Sequence, residues 1–276
     1  FDAAYILTPL LTGQLFPFVD VRNVMRRRIE GTKFANPTMG WGTAEGTGIT
    51  PYTTDAFISA FDNSIWPITG AMEIGRDFQS DSPLDIGGIV TDRYGQAFRQ
   101  EMDNVIANGN GTNRPEGLFV ASGVTTNTSA GGSGADPTPG DYEGLMHGVG
   151  LAFLQEAGLP PNSRAVFLST QTSYQRSRGI KIASGDERRF FGRDGQMSYR
   201  TYDFRHAINA SAGNAKLGFF CLNRYTMYRR QGLEVRIVRD DRTGALANTD
   251  MLVLRARFGG ALNHSNAGMK IEDAKA

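Results

Sequence analysis

The first 70 residues of this chain carry many aromatic side chains but cannot form a helical core. Ten of them are aromatic and eleven are charged, and five prolines lie between positions 9 and 67. Proline removes a backbone donor and breaks helices, and the glycines between the prolines favour turns. The apolar side chains of this segment must therefore be buried elsewhere, either on the rest of the same chain or on another copy of it.

Charge is distributed unevenly within this segment. Residues 21–33 contain five cations and one carboxylate, whereas residues 34–72 contain three carboxylates and no cation. The basic run is either a solvated strand face or a docking surface for an acidic partner. Its cations are Arg22, Arg26, Arg27, Arg28 and Lys33, and the three downstream carboxylates are Glu45, Asp55 and Asp62.

An alternation of period two marks the end of the same segment. The alternating series consists of Phe57, Ser59, Phe61, Asn63 and Ile65. This period is typical of a β-strand. We interpret residues 32–68 as two extended strands joined by a long excursion, which together form a β-arm.

The most regular helical pattern lies between residues 82 and 109. Ser82 is a candidate N-cap, Pro83 suits the first helical position, and Asn108–Gly109 can end the helix. Apolar residues recur at steps of three and four, which predicts one apolar stripe along a spine helix of about 39 Å. The residues of the stripe are Ile86, Ile89, Val90, Tyr94, Ala97, Phe98, Met102, Val105 and Ile106.

Shorter elements are predicted in the rest of the chain. Residues 120–140 are rich in glycine, serine and threonine and indicate a loop. We expect helices near residues 142–157 and 170–178, and strands at residues 165–168, 217–222, 235–239 and 251–258. In the last strand Leu254, Ala256 and Phe258 alternate with Arg255 and Arg257, which predicts one buried and one exposed face.

Composition excludes several classes of protein. The chain has 29 Lys+Arg and 28 Asp+Glu, a net charge of +1, whereas a dedicated nucleic-acid-binding domain is strongly basic. The longest charge-free apolar stretch, residues 3–19, contains Pro9 and Pro17 and is shorter than the roughly 20 residues of a membrane-spanning helix. The single cysteine, Cys221, cannot form an intrachain disulfide and is predicted to be a small buried hydrophobic residue.

Motifs for catalysis and cofactor binding are missing from the sequence. No lysine stands in the frame of a phosphate-binding loop, and no G-x-S-x-G nucleophile motif occurs. His147, His206 and His264 are far apart and lack a second ligand at helical spacing. We therefore expect no catalytic residue, no metal site and no cofactor, and we predict that the chain is not an enzyme.

Four short motifs occur in a fixed order along the chain. W-x-x-x-E-G spans residues 41–46, F-x-x-x-x-Y-x-x-Y-R-R-x-G-L-E-V spans residues 220–235, and R-A-R-F-G-G spans residues 255–260. The spine helix ends in a turn with Gly109, Gly111, Thr112, Gly117 and Leu118. Together with the apolar arm, the β-arm and the long helix, this order resembles the tailed-bacteriophage major capsid family, which has the Hong Kong 97-type fold.

The resemblance implies an α+β fold with named parts. These are an N-terminal arm (1–32), an extended β-hairpin called the E-loop (33–72), a peripheral domain with the spine helix (73–120), an axial domain (121–232) and the return strands of the peripheral domain (233–276). Phe1 would then follow a maturation cleavage, although a trimmed chain would begin in the same way.

The resemblance also implies a function. The expected role is the major capsid protein of a tailed double-stranded DNA phage, which assembles into homo-pentamers and homo-hexamers of an icosahedral shell around the genome. Expected partners are other copies of the chain, packaged DNA in non-specific contact, and decoration, portal and scaffold or protease proteins, with no membrane. The expected location is the virion capsid, after assembly in the host cytoplasm.

Two sets of residues are expected at the contacts between subunits. Our hypothesis is that the acidic, aromatic E-loop of one subunit lies over a basic ridge of the next, because extended arms must be covered by a neighbour. The E-loop residues are Trp41, Glu45, Tyr52, Phe57 and Phe61, and the ridge is formed by Arg26, Arg27 and Arg28 or by Arg229 and Arg230.

Covalent crosslinking is not expected in this shell. Some members of the family join subunits through an E-loop lysine and a distant asparagine, but residues 34–72 contain no lysine and Lys33 lies at the base of the arm. Two other interpretations stay open at this point. They are an encapsulin-like nanocompartment with the same fold and, from a different class, a soluble α+β enzyme with an unrecognised site.

Overall fold

The computed structural model describes residues 14–35, 58–77, 86–130, 136–158, 163–181, 203–205, 215–238 and 248–274. Helices and strands follow one another in mixed order, which confirms the predicted α+β class. The helices are α1 (Ile86–Asn108), α2 (Pro139–Gly148), α3 (Leu151–Ala157) and α4 (Gln171–Ser177). None of these helices is long and apolar enough to cross a membrane.

Eleven strands are present in the described residues. They are β1 (Asp20–Asn23), β2 (Arg28–Phe34), β3 (Ile58–Ser64), β4 (Trp66–Gly75), β5 (Thr125–Asn127), β6 (Ala165–Ser169), β7 (Asp203–Arg205), β8 (Ala215–Cys221), β9 (Tyr225–Val238), β10 (Thr249–Leu262) and β11 (Gly268–Ala274).

A four-stranded sheet is formed by β1, β9, β10 and β4, in that order. Strand β1 is parallel to β9, and β10 is antiparallel to both of its neighbours. In β10 the side chains of Leu254, Ala256 and Phe258 are buried, whereas those of Arg255 and Arg257 are exposed. This confirms the predicted alternation and gives the sheet one apolar face.

The spine helix α1 packs on the apolar face of this sheet. The rings of Phe98 on α1 and Phe258 on β10 have centroids 5.6 Å apart. Met102 and Ile106 are fully buried, whereas Tyr94 is half-buried. The predicted stripe is therefore covered along the C-terminal half of the helix and open toward its N-terminal half. The predicted cap residues before Ile86 lie outside the described residues.

The helix ends at Asn108, as predicted. A Cβ atom added to Gly109 would lie 1.9 Å from the carbonyl oxygen of Pro115, and one added to Gly117 would lie 2.3 Å from the backbone nitrogen of Gly109. The N–H group of Gly117 donates to the carbonyl oxygen of Gly109 at 2.9 Å. Glycine is required at both positions because the two backbone segments touch.

A buried carboxylate joins the spine helix to the N-terminal part of the chain. Asp103 on α1 accepts hydrogen bonds from the backbone N–H groups of Gln14, of Leu15 at 3.0 Å and of Phe16 at 2.9 Å. Leu15 is fully buried, and the Phe16 ring packs edge-on against Phe258 at 6.4 Å. Three backbone donors at the start of the short 3₁₀ turn Phe16–Phe18 are thus satisfied by one side chain.

The second sheet has five strands in the order β5, β11, β8, β6 and β7. Its core is aromatic: Phe167 on β6 and Phe219 on β8 have ring centroids 4.6 Å apart. On the other face of β8, Phe220 packs at 5.1 Å against Phe119. Cys221 is fully buried on β8, and burial raises the pKa of its thiol to about 12. It is a small core residue, as predicted.

Some elements differ from the sequence prediction. The helix expected near residues 142–157 is divided into α2 and α3, because Val149 is extended and Gly150 precedes the first turn of α3. Strand β9 begins at Tyr225, well before the predicted residue 235. Its first four residues are all buried, so they show no alternation. The short strands β1, β5 and β11 carry no pattern that predicts them.

Replacing Asp103 with alanine should lower the free energy of unfolding by about 3 kcal/mol, because three backbone donors lose their acceptor. Urea denaturation measures this loss. The matched control is Asp92→Ala on the same helix, where the exposed carboxylate accepts a hydrogen bond from the Gln96 side chain at 2.9 Å. We expect the control to change stability by less than about 0.5 kcal/mol. Equal losses in the two variants would contradict the role of Asp103.

Candidate functional site

A two-stranded hairpin, β2 and β3, projects from the four-stranded sheet. The strands are antiparallel, with Arg28 opposite Ser64 at the base and Phe34 opposite Ile58 at the far end. Phe34 is 61% exposed and Ile58 is 41% exposed. The hairpin therefore carries partly exposed apolar side chains at the described ends of its strands. These strands confirm the two extended segments that the alternation predicted.

Within the hairpin, the Phe61 ring covers the partner strand. It is half-buried and lies over Gly31, where an added Cβ atom would stand 2.4 Å from the ring. The Nζ atom of Lys33 lies 5.8 Å from the centroid of the same ring. Glycine at position 31 thus allows the aromatic side chain to lie flat across the hairpin. Phe61 is in this way engaged with its own hairpin.

An ion pair closes the base of the hairpin. Arg28 on β2 binds Asp62 on β3 through both Nε and Nη2, and its Nε atom lies 3.2 Å from Glu30. The hydrogen bond and the positive charge of Arg28 lower the pKa of Asp62, and Asp62 and Glu30 raise the pKa of Arg28. The pKa of Asp62 is thus lower in the folded state than in the unfolded state, where it is about 4. The ion pair therefore contributes its full stabilisation above about pH 4. This stabilisation is lost as the pH falls through the lowered pKa of the folded state.

A basic loop connects β1 to the hairpin. Its backbone is fixed on both sides: the N–H group of Val24 donates to Arg229 on β9 at 2.9 Å, and that of Ile65 donates to Arg27 at 3.0 Å. Met25 in this loop is 93% exposed. The loop therefore stands as an ordered projection beside the edge of the four-stranded sheet.

The loop and strand β9 bring four of the predicted arginines together. We call this surface the basic ridge; it consists of Arg26, Arg27, Arg229 and Arg230, and all four are exposed. The Nε atom of Arg229 donates to the Asn23 side chain at 2.8 Å. The other three form no ion pair with the residues that the structure describes. Such cations are available to an acidic partner.

The remaining predicted contact residues fall into two groups. Arg28 is held by Asp62 and Glu30 within its own hairpin and so differs from the other arginines. The E-loop residues Trp41, Glu45, Tyr52 and Phe57 lie outside the described residues. Of the predicted contact set, the structure thus places the ridge and the base of the hairpin.

Sequence reasoning missed a second exposed surface. Leu233, Val235 and Ile237 on β9 are 39%, 38% and 55% exposed. Their alternation with Glu234 and Arg236 was the available signal, because a strand with one apolar face normally packs that face against something. Here this part of the apolar face is open.

The described residues offer no cluster of three or more histidine, cysteine or acidic side chains that could hold a metal ion. His264 packs against the Phe153 ring at 5.6 Å, and partial burial lowers its pKa. Arg224, which pairs with Glu156, stacks on the same ring at 5.5 Å. This histidine thus belongs to a packed aromatic and charged cluster.

The chain belongs to the phage capsid family. The model of that family matches residues 6–273. The resemblance drawn from the sequence motifs is thereby confirmed, and the chain is grouped with proteins that build virus shells. No curated protein is similar enough to match the chain.

Solved capsid structures share the architecture. The capsid of an empty GTA particle has a TM-score of 0.75 at 16% identity, covering 99% of this chain and 94% of that chain. A chain of Microbacterium phage Oxtober96 has a TM-score of 0.68 at 16% identity, with coverage of 99% and 94%. The holo-SrpI encapsulin complex from Synechococcus elongatus has a TM-score of 0.64 at 13% identity, with coverage of 99% and 92%. These likenesses confirm the Hong Kong 97-type fold.

Replacing Arg28 with glutamine should raise the pKa of Asp62 toward that of an unpaired aspartate, because the charged hydrogen bond is lost. An NMR titration of the Asp62 carboxyl carbon measures the shift. The control is Arg27→Gln, which removes a neighbouring exposed cation without an ion pair and should leave the pKa of Asp62 nearly unchanged. An Asp62 pKa that responds equally to both variants would contradict a specific pair.

Proposed function

We propose that the chain is the major capsid protein of a tailed double-stranded DNA phage. The observation that carries this proposal is the match of the phage capsid family to residues 6–273, in a chain with a two-stranded hairpin whose Ile58 is 41% exposed. Such a projection is stabilised by a neighbour, and head-to-tail contacts of this kind close into rings. The subunit would form the pentamers and hexamers of an icosahedral shell without catalysing a reaction.

The charges of the two surfaces support one arrangement of neighbours. The excursion between β2 and β3, residues 36–57, contains the carboxylates Glu45 and Asp55 and no cation. The basic ridge presents Arg26, Arg27 and Arg230, which form no ion pair with any described residue. We place the E-loop of one subunit over the basic ridge of the next, where opposite charges set the register and aromatic side chains supply most of the buried area.

The aromatic contribution to this contact would come from the E-loop. Trp41, Tyr52, Phe57 and Phe61 are of the residue types that dominate the centres of interfaces, and Glu45 is the acidic residue near the tip. A permanent interface of this kind buries roughly 2,000 Å² or more. Repeated around a ring, it makes the assembled shell more stable than the single subunit.

The division into parts follows the same proposal. Residues 1–32 form the N-terminal arm, 33–72 the E-loop, 73–120 and 233–276 the peripheral domain, and 121–232 the axial domain. The spine helix and the four-stranded sheet belong mainly to the peripheral part, and the five-stranded sheet mainly to the axial part. The chain would be the processed form, assembled in the host cytoplasm and located in the virion capsid.

The small net charge limits the contacts that the proposed shell makes with packaged DNA. A chain with a net charge of +1 offers packaged DNA only salt-sensitive contacts to phosphate through local arginines. Decoration, portal and scaffold or protease proteins are further partners of the proposed shell. No cofactor is required.

A shell that encloses protein cargo is the second candidate. The likeness to the holo-SrpI encapsulin complex supports it, since both shells would use one fold. The two candidates differ in content: a phage capsid contains nuclease-protected double-stranded DNA, whereas a nanocompartment contains a cargo protein. Particles isolated from the native source distinguish them.

Purified protein should form capsomers or closed particles that are visible by negative-stain electron microscopy. Boiled in denaturant, these particles should give one band at the mass of a single chain, because residues 34–72 contain no lysine for an isopeptide bond. A ladder of covalent oligomers would show that the shell is crosslinked. A strictly monomeric protein at high concentration would refute the shell function.

Charge reversal of the basic ridge should impair assembly more than folding. In the variant Arg26→Glu/Arg27→Glu we expect particle yield to fall at least about tenfold, which corresponds to about 1.4 kcal/mol of interface free energy, with unchanged urea denaturation of the subunit. The matched control is Arg99→Glu/Arg164→Glu, which changes the net charge equally at two exposed sites outside the ridge. Equal loss of assembly in both variants would argue for a general charge effect.

A further inference from the structure

Two Asn-Gly pairs stand next to each other where the spine helix ends. They are Asn108–Gly109 and Asn110–Gly111, and the chain contains no other such pair. In an Asn-Gly pair the backbone nitrogen of the glycine can attack the Cγ atom of the asparagine side chain, because glycine has no Cβ atom to hinder the close approach. The fold determines which of the two pairs can react in this way.

The first pair is held by the helix. Asn108 is the last residue of α1 and is half-buried, and Gly109 is buried. The backbone N–H group of Gly109 donates to the carbonyl oxygen of Val105 at 2.8 Å, in the pattern of an α-helix. The nitrogen that would attack Asn108 is thus engaged in a hydrogen bond and shielded from water. The fold therefore protects the first pair.

The second pair lies beyond the helix and faces water. Asn110 and Gly111 are both exposed. Asn110 forms an isolated β-bridge with Glu116, which fixes the start of the turn. Gly111 has a φ angle of +70°, a conformation that glycine adopts without a steric cost. The second pair is thus accessible to water and held in an ordered turn.

The turn also activates the Asn110 side chain. Its Oδ1 atom accepts hydrogen bonds from the backbone N–H groups of Thr112 at 3.1 Å and of Asn113 at 3.4 Å. These two bonds hold the side-chain carbonyl on the C-terminal side of Asn110, where the nitrogen of Gly111 lies. They also stabilise the negative charge that develops on Oδ1 when a nucleophile attacks Cγ. The two N–H groups thus form a small oxyanion hole for the attack.

We propose that Asn110 is a site of spontaneous deamidation in the folded subunit. The backbone nitrogen of Gly111 forms a bond to Cγ of Asn110, the bond between Cγ and Nδ2 breaks, and the amide group leaves as ammonia with the proton of the Gly111 N–H group. Water then opens the resulting succinimide ring at either carbonyl carbon, which gives aspartate or isoaspartate. The reaction consumes only water.

The product carboxylate would lie in a polar cleft at the base of the hairpin. The cleft has a volume of about 400 Å³ and is lined by Asp62 and Asn63 of β3 and by Asn110, Arg114 and Glu116 of the turn. Deamidation therefore adds a third carboxylate to a lining that includes two carboxylates and one arginine. Isoaspartate also lengthens the backbone of the turn by one carbon atom. The reaction needs only the folded subunit and is independent of the proposed shell function.

Peptide mapping of folded protein aged at neutral pH tests the proposal. Asn108 and Asn110 are compared in one sample, and fragmentation in the mass spectrometer assigns each new carboxyl group to one of the two positions. We expect Asn110 to deamidate at least about tenfold faster than Asn108, because Asn108 reacts only when the end of the helix opens. Equal rates at the two positions would overturn the proposal.

The same protein unfolded in urea is the matched control. Both sites then have the same Asn-Gly sequence without a fold, so they should deamidate at similar rates. Folding should slow the reaction at Asn108 at least about tenfold and leave Asn110 at least as fast as in urea. If Asn110 reacts more slowly in the folded protein than in urea, the turn protects this side chain and the proposal is wrong.

The position of the new charge is tested with the variant Asn110→Asp, which introduces the product carboxylate directly. The pKa of Asp62, measured by NMR, should rise because a further negative charge then lies in the same cleft. The matched control Asn113→Asp adds the same charge to an exposed part of the turn outside the lining of the cleft, and it should raise the pKa of Asp62 less. Equal shifts would contradict the position assigned to the product. These measurements do not depend on particle formation, so a failed shell function and a failed deamidation give different results.

Discussion

The structure depends on one buried carboxylate that fixes the path of the chain before its first strand. Asp103 binds three consecutive backbone N–H groups and thereby anchors residues 14–16 on the spine helix. Strand β1, the basic loop and strand β2 follow within twenty residues of this anchor. Without it the parallel pairing of β1 with β9 would rest on four residue pairs at a sheet edge. Residues 14–16 can be buried against the spine helix because their backbone N–H groups are hydrogen-bonded. Burial of unpaired N–H groups would be strongly unfavourable.

Periodic elements with one buried face could be predicted from the sequence, and so could the short apolar runs of β6 and β8, whereas the buried first half of β9 could not. The helix α1 and strand β10 show their periods clearly because each has a polar side. The first half of β9 is buried throughout and shows no alternation. The division between α2 and α3 rests on the backbone of Val149 and Gly150, which a helical pattern does not reveal. Hydrophobic periodicity thus predicts an element best when one of its faces is exposed to water and the other is buried.

The candidate site was predicted in part, for a related reason. The basic run in the sequence identified the arginines. The register of the paired strands, however, decides which of them lie close together. The β2–β3 register places Arg28 on the same hairpin as Asp62 and engages it there, whereas the β1–β9 pairing brings the loop with Arg27 beside Arg229. The three consecutive arginines 26–28 therefore have two different environments. Arg28 forms an ion pair within the hairpin, whereas Arg26 and Arg27 belong to the exposed basic ridge. Register depends on long-range contacts and is not visible in local composition.

The exposed apolar side chains of the described residues lie on two different kinds of surface. Phe34 and Ile58 are paired at the described end of a two-stranded hairpin and are 61% and 41% exposed. Leu233 and Ile237 lie on a broad sheet face, where Ile237 is paired with the buried Leu252. A two-stranded hairpin is marginally stable without a packed layer, so the proposed contact with a neighbouring subunit would stabilise it. In the proposed shell the hairpin therefore depends on a neighbour more than the sheet face does, because the sheet already packs on α1 along part of its length.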